Sequence, residues 1–273
     1  MKNHILLLLA LFITFTGVAQ EFQGKAFYIS KTTLDPNFGK NIPPDRKKRI
    51  MERMKSSMEK NYELTFNSSV SLFYEQEKLD VSGGNSRFNF MSFISPIQGV
   101  LHKEYATKTF TNRVELFGKF FLIKDSLPES KWMLTGESKI IGNYTAYKAT
   151  TSREEPQEVF QFGRQSENQE NRKPKMKIVN ITAWFTPQIP VSTGPYKHGG
   201  LPGLILEVST DNTTILCTKV VINPKDKIKI KEPKKGTKVV LDEYEQIRKD
   251  KITEMREMFQ RNRRRGGEGP RPR

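Results

Sequence analysis

The chain has 273 residues, of which 36% are hydrophobic and 10% aromatic, so it can bury a core of its own and is not a disordered polypeptide. Its 46 basic and 30 acidic side chains leave a formal net charge of +16, which favours contact with anionic surfaces such as lipopolysaccharide or other anionic polymers. The single cysteine, Cys217, excludes an intramolecular disulfide, a cysteine-rich zinc site and a redox pair.

The first residues have the pattern of a secretory signal peptide. Lys2 supplies a positive charge, residues 5–15 are apolar, and Gly17-Val18-Ala19 is a small-residue cleavage site. The apolar run is shorter than the about 20 residues that a membrane anchor needs, and no cysteine follows that could carry a lipid. We therefore expect residues 1–19 to be removed, and the rest to be a soluble protein of the periplasm or cell envelope that is not a lipoprotein.

Short strand patterns dominate the first half of the mature chain. Residues 24–30 predict a first strand, because aromatic and β-branched residues predominate there. Pro43-Pro44-Asp45 predicts the start of a helix that runs to about residue 60, since proline suits the first turn and an acidic side chain favours the positive end of the helix dipole. Further strand patterns follow up to residue 149, joined by turn sequences such as Gly142-Asn143. This spacing favours an antiparallel sheet over alternating strands and helices.

The second half contains one polar interruption and then more strands. Residues 163–177 are too polar to bury a core and predict a mobile loop between two paired strands. Residues 204–210 and 213–222 predict a hairpin closed by Asp211-Asn212. Residues 228–231 alternate isoleucine with lysine and predict an edge strand, because lysines protect sheet edges from further pairing.

The C-terminal region is the most basic part of the chain. Residues 241–263 predict a second helix, and residues 261–273 predict a basic disordered tail. Residues 225–273 carry 17 basic and 9 acidic side chains, about half of the positive excess in the last fifth of the chain. Arg263, Arg264 and Arg265 could therefore hold anionic polymers, although a tail that only aids solubility has the same composition.

The residues that could support catalysis are sparse. His102 and His198 are far apart in sequence, and neither has the spacing of a metal site or of a serine nucleophile turn. Cys217 falls in an apolar strand pattern without a histidine base. Adjacent carboxylates such as Glu154-Glu155 do not share a face of a strand and are expected to be solvated. We expect no metal and no cofactor, and the basic residues lack the aromatic platform of a specific nucleic-acid site.

Residues 199–208 combine dense turn chemistry with an apolar run. Pro202-Gly203 predicts a type II turn, because proline presets the first central residue and glycine accepts positive φ at the second. Three prolines between Trp184 and Pro195 favour an extended path with few backbone donors. We expect this connector to leave a strand at Phe185, cross the domain and re-enter the sheet at Leu204. A strand follows the glycines, so no helix N-terminus is present to hold phosphate.

This connector is either a structural clasp or a rim at which an apolar ligand or partner binds. The candidate binding residues under the second interpretation are Trp184, Pro190, Gly194, Pro195, Tyr196, Gly200, Leu201, Pro202, Gly203, Leu204 and Ile205.

The run Gly200-Leu201-Pro202-Gly203-Leu204-Ile205 resembles the signature of the GLPGLI family, exported Bacteroidetes proteins of unknown function. The resemblance extends over residues 183–195, Trp132 and residues 141–149, and so over most of the mature chain. Ala146 stands where many relatives have cysteine, so any role of that thiol is absent here. The resemblance implies an envelope location and a shared fold, and it brings no activity.

Together these patterns predict one domain over residues 20–260, mainly β or α+β. We expect a curved antiparallel sheet with two flanking helices, similar to the half-barrels of periplasmic lipoprotein carriers; a closed barrel or sandwich is the alternative. The predicted function is non-enzymatic binding of an apolar ligand or an envelope partner. The alternatives are docking on anionic envelope polymers and a hydrolase whose site the sequence does not reveal.

Overall fold

A computed structural model describes residues 22–33, 42–76, 97–156 and 176–266. The predicted signal peptide, residues 267–273 of the predicted tail, and residues 163–175 of the predicted loop lie outside these ranges. No helix within the described ranges is both long and apolar enough to cross a membrane.

Twelve strands and two helices make up the described chain. The helices are α1 (Pro44–Met58) and α2 (Leu241–Gly266). The strands are β1 (Gln23–Thr32), β2 (Glu59–Asn67), β3 (Val70–Glu75), β4 (Val100–Glu104), β5 (Thr109–Leu116), β6 (Lys119–Ser126), β7 (Met133–Ile141), β8 (Tyr144–Pro156), β9 (Met176–Thr186), β10 (Leu204–Ser209), β11 (Thr213–Ile222) and β12 (Thr237–Val239).

All twelve strands belong to one sheet, in the order β12-β6-β5-β4-β3-β2-β1-β11-β10-β9-β8-β7. The prediction of a mainly β protein with two helices is confirmed, and the closed-barrel alternative is wrong because the sheet does not close. The strand pairs are antiparallel, as predicted, except that β12 runs parallel to β6. β8 pairs with β9, as expected for strands joined by the predicted loop, and Met176 and Lys177 already belong to β9.

One face of strands β1–β6, which we call the inner face, carries most of the core. The register aligns Ala26 with Leu64, Leu64 with Phe73, and Phe73 with Leu101, all of which are buried. The Tyr62 ring stacks on Phe73 with 5.0 Å between ring centroids. Because fully burying one such apolar side chain contributes roughly 1.5–3 kcal/mol, this face stabilises the sheet.

Helix α2 begins against the inner face and extends farther than predicted. Tyr244 packs edge-on against Phe121 of β6, with 5.7 Å between ring centroids. The Leu241 N–H donates to Asp125 Oδ2 at 3.1 Å, so a carboxylate from β6 caps the helix N-terminus. The helix continues to Gly266, and the prediction that disorder begins at residue 261 is wrong for residues 261–266.

The opposite face of β1–β6, which we call the outer face, is crossed by residues 223–236. The Ile228 N–H donates to Gln23 Oε1 of β1 at 3.0 Å. Farther along, Glu232 Oε1 accepts hydrogen bonds from Thr111 of β5 at 2.6 Å and Lys124 of β6 at 2.7 Å. The predicted edge strand at residues 228–231 is therefore wrong. The segment runs across the strands instead of along one of them, and side chains bind it where a strand would have backbone partners.

Candidate functional site

The connector, residues 187–203, joins β9 to β10 and folds back on itself. Thr186 and Leu204 lie directly opposite each other in the sheet, so the connector begins and ends at one place. The Leu204 N–H donates to Ile189 O at 3.0 Å, and the Ile205 N–H donates to Thr193 O at 3.0 Å. The chain re-enters the sheet at Leu204, as predicted. Between its two ends the connector is a loop closed by these two hydrogen bonds, in which its prolines take no part.

The tip of the connector reaches the inner face of β3 and β4. Thr193 Oγ1 donates to Ser71 Oγ at 3.4 Å, and the Tyr105 hydroxyl donates to the same Ser71 oxygen at 2.6 Å. The Tyr196 ring lies 6.4 Å from the Phe73 ring, and Tyr196 has a positive φ of 50°. Because such a backbone conformation is costly for a residue with a side chain, surrounding contacts must hold the tip in place.

Lys103 supplies the most specific of these contacts. Its ammonium group is in the core, with 1% of the residue exposed, and Nζ donates to Gly194 O and to His198 O, both at 2.9 Å. Burial lowers the pKa of Lys103 to about 7, because the charged form loses its hydration. A neutral amine has two N–H groups, and the two carbonyl oxygens accept both. Lys103 therefore fastens the connector tip to β4.

His198 lies beside this contact and is held neutral. Burial lowers the pKa of His198 to about 3, and the nearby positive charges of Arg153, Lys103 and Lys197 act in the same direction. Ser71, Lys103 and His198 together resemble a nucleophile with its bases, but all three are buried beneath the connector. Lys103 is engaged with backbone oxygens and Ser71 with two hydroxyl groups, so the arrangement is that of a structural anchor.

The other residues considered for chemistry lie elsewhere. His102 is on the outer face of β4, where burial lowers its pKa, so the two histidines lie on opposite faces of the sheet. Burial raises the pKa of Cys217 to about 11, which keeps the thiol protonated and unreactive. Within the described ranges, no three His, Cys, Asp or Glu side chains are placed to hold a metal ion.

The predicted binding residues divide into three groups by exposure. Pro190, Gly200 and Pro202 are exposed, and Trp184 and Tyr196 are half-buried. The Trp184 ring is covered by Lys139, whose Nζ lies 4.2 Å from the ring centroid. The remaining members are buried: Gly194, Pro195, Leu201, Gly203, Leu204 and Ile205.

The buried members of the motif pack inside the protein on both sides of β10. Leu204 belongs to the main core with Ile189 and Val191 of the connector. Leu201 and Ile205 pack in a second apolar cluster with Phe185. These side chains cannot reach a ligand while the connector is in place, and this arrangement favours the clasp interpretation of the motif.

Two further anchors bind the connector and β10, and sequence reasoning missed both. The Tyr28 hydroxyl donates to Ile205 O at 2.8 Å, and Trp132 Nε1 donates to Gly199 O at 2.9 Å. Lys103 was missed as well. The available signal was its position two residues after Leu101 in a predicted strand, which places a lysine on the buried face.

A cationic surface lies on the opposite side of the protein. Residues 224–238 contain seven lysines and two acidic residues, and all seven lysines are exposed. From residue 227 to residue 231 the lysines are exposed while the two intervening isoleucines are half-buried. Six of the seven lysines precede β12, and we call these six the lysine row: Lys225, Lys227, Lys229, Lys231, Lys234 and Lys235.

Two apolar surfaces are also present. A cavity of about 290 Å³ opens between α1 and the ends of β1 and β2, and Met51 and Met58 are among its lining residues. Its volume lies just below the range of roughly 300–1,000 Å³ that is usual for small-molecule sites. The edge strand β7 exposes Met133, Leu134 and Ile140, with 67%, 65% and 69% of their surfaces accessible.

The glycines of the motif predict a graded effect of adding a methyl group. A Cβ on Gly203 would lie 2.2 Å from Thr186 O, a backbone atom that cannot move aside, so Gly203→Ala should lower the free energy of unfolding by about 3 kcal/mol. Gly200 has a φ of +85° but open space around it, so Gly200→Ala should cost only about 1 kcal/mol. Urea unfolding monitored by circular dichroism measures both, and equal losses would contradict the packing argument.

Lys103 predicts a pH dependence of stability. Between its folded pKa of about 7 and its ordinary value of 10.5, the unfolded chain binds a proton that the folded chain does not, so stability rises with pH in this window. The slope approaches about 1.4 kcal/mol per pH unit at most. Urea unfolding between pH 7.5 and pH 9.5 should give a smaller slope in Lys103→Met than in wild type, and the difference between the two slopes measures the contribution of Lys103. The exposed Lys48→Met variant should retain the wild-type slope, and an unchanged slope in Lys103→Met would contradict a neutral buried amine.

The comparison with family models matches only part of the chain. A family model described as a protein of unknown function (Porph_ging) matches residues 132–207, from just before β7 to within β10. No curated protein matches the sequence. Two solved structures of PNGF-II, in the C2 and P2₁ space groups, are similar at 16% identity with TM-scores of 0.48 and 0.47, and the alignments cover 83% and 82% of this chain. This chain spans about a third of each of them, 32% in both cases. The region that contains the connector is thus similar to a family of unknown function.

Proposed function

We propose that this chain is an exported, non-enzymatic protein of the cell envelope that docks on anionic polymers through the lysine row. The observation that carries the proposal is the exposure of all seven lysines of residues 224–238 on one ordered segment. The predicted signal peptide and the resemblance to the GLPGLI family support the location. The Arg263-Arg264-Arg265 run adds positive charge in α2.

The charge of the lysine row is not neutralised by its own acidic residues. Residues 224–238 have a net charge of +5 from seven lysines and two acids. One of those acids, Glu232, accepts hydrogen bonds from Thr111 and Lys124. These hydrogen bonds stabilise the carboxylate and lower the pKa of Glu232. Lysine ammonium groups on flexible stems are hydrated point charges that suit carboxylate, sulfate and phosphate groups. The exposed Lys225, Lys229, Lys231, Lys234 and Lys235 of the row therefore suit an anionic partner.

The buried site does not support the two other functions considered. An apolar ligand on the inner face of the sheet would have to displace the connector tip, which Lys103 and Ser71 hold against that face. A hydrolase would need access to His198 or Cys217, and both are buried. The proposal accordingly assigns the connector a structural role and places binding on the surface.

The proposal predicts a position-specific loss of polyanion binding. A row variant with Lys225, Lys229, Lys231 and Lys235 changed to Gln should elute from immobilised heparin at a clearly lower salt concentration than wild type. Its slope of log affinity against log salt should fall by about 3, since each lost contact with a charged polymer removes roughly 0.7–0.9. Elution and titration at several salt concentrations measure both quantities.

A matched control separates position from net charge. Changing Lys48, Lys108, Lys131 and Lys249 to Gln removes the same number of charges from exposed positions outside the row. This control should elute close to wild type. Equal weakening of the two variants, or strong binding that depends instead on Arg263, Arg264 and Arg265, would refute docking through the lysine row.

A second candidate function is the binding of an envelope protein at β7. This strand ends the sheet, and Ile140 and Met133 are exposed on it. The register of β7 against β8 is irregular between Leu134 and Ser138, and such a bulge limits strand addition to the regular part, residues 138–141. An extended apolar segment of a partner fits that length.

The β7 candidate predicts contact at one position. A photo-crosslinking residue placed at Ile140 should give one discrete adduct in the native envelope, because the partner strand would lie beside it. The same residue placed at the exposed Phe120 should give none. Adding purified wild-type protein should suppress the adduct, whereas the Ile140→Asp variant should not. Equal labelling from both positions would dismiss this surface.

A further inference from the structure

We infer that the polyanion held by the lysine row is a linear acidic polysaccharide that lies across the strands of the outer face. This inference rests on the proposed function and specifies its ligand. Three features of residues 223–236 lead to it: the path of the segment, the spacing of its lysines, and the side chains that it does not present.

The path of the segment carries residues 228–232, and with them Lys229 and Lys231, across the sheet. It is bound to Gln23 of β1 at one end, and Glu232 is bound to Thr111 of β5 and Lys124 of β6 at the other. Strands β2, β3 and β4 lie between these points in the sheet order. The segment therefore crosses the outer face transversely, and the ordered sheet below it limits its bending. A partner that follows the row must itself be extended.

The spacing of the lysines gives the row its regular charge. Lys227, Lys229 and Lys231 are exposed, and Ile228 and Ile230 between them are half-buried, which is the alternation of an extended chain. Alternate residues of an extended chain are about 6.6 Å apart, so these three lysines span about 13 Å in single file. A polymer that repeats one anionic group along its length can pair at once with several exposed lysines of the row, which include Lys229, Lys231 and Lys235, and each added pair raises the avidity.

The aromatic and apolar side chains of residues 223–240 distinguish between classes of polyanion. Residues 223–240 contain no Phe, Tyr or Trp, and the exposed Phe120 beside Gly236 is a single ring, whereas single-stranded nucleic acids stack successive bases on several aromatic side chains. The two isoleucines between the exposed lysines are half-buried, whereas a segment that enters a lipid surface presents its apolar side chains to the membrane. An acidic saccharide needs neither feature, because carboxylate groups are its main points of contact.

The test measures the affinity of the full mature chain for polyuronate fragments of defined length by isothermal titration. An octasaccharide should bind at least about tenfold more tightly than a disaccharide, because it can contact several lysines at once. The row variant should lose about tenfold or more of the octasaccharide affinity, and the four-lysine control should stay within about twofold of wild type. Thermal unfolding of both variants verifies that they are folded.

Two further probes separate failure of the ligand assignment from failure of docking. Phosphatidylglycerol vesicles and oligothymidylate are titrated at the same concentration of negative charge. Tighter binding of either probe than of the octasaccharide, with loss in the row variant, would overturn the polysaccharide assignment and leave docking through the row intact. Equal affinity for the octasaccharide and the disaccharide would also overturn the assignment. An octasaccharide affinity that falls equally in both variants would overturn docking through the row itself.

Discussion

The structure depends on one buried contact, the hydrogen bonds from Lys103 Nζ to Gly194 O and His198 O. The connector is longer than an ordinary hairpin loop, and its tip lies on strands that are far from β9 and β10 in the sheet order. A lysine in the core costs free energy unless its polar atoms are bonded, and the two carbonyl oxygens at the tip of the connector would otherwise be buried without donors. The lysine donates its hydrogen bonds to the two carbonyl oxygens, so neither partner is left unbonded. The contact therefore specifies one position for the connector.

The position of the connector determines which surfaces can act. With its tip on the inner face and α2 packed beside β6, the apolar side of the sheet is covered by the chain itself. The outer face is left for interactions, and residues 223–236 add a cationic surface to it by crossing it. After this crossing the chain reaches the free edge of β6. There it adds β12, which runs parallel to β6.

Much of the fold could be predicted from local patterns, and the failures share a cause. The start of α1 at Pro44 and the hairpin of β10 and β11 follow from residues that are close in sequence. The alternation at residues 228–231 correctly indicates an extended chain with one face outward, but extended geometry alone does not reveal whether the neighbour is a strand or a set of side chains. For the candidate site, the motif was visible as turn chemistry, whereas Lys103 was not, because its partners are backbone atoms about 90 residues away.

The sequence by itself determined the class of the protein, its charge distribution and the location of a motif that resembles the GLPGLI signature. These properties depend on residue types and on spacings of a few residues, which set the backbone geometry locally. Only the tertiary structure decided that the motif is buried, that His198 and His102 lie on opposite faces, and that the lysine row crosses the outer face. The physical reason is that burial and pairing across the sheet depend on strand order, and contacts between distant segments decide that order.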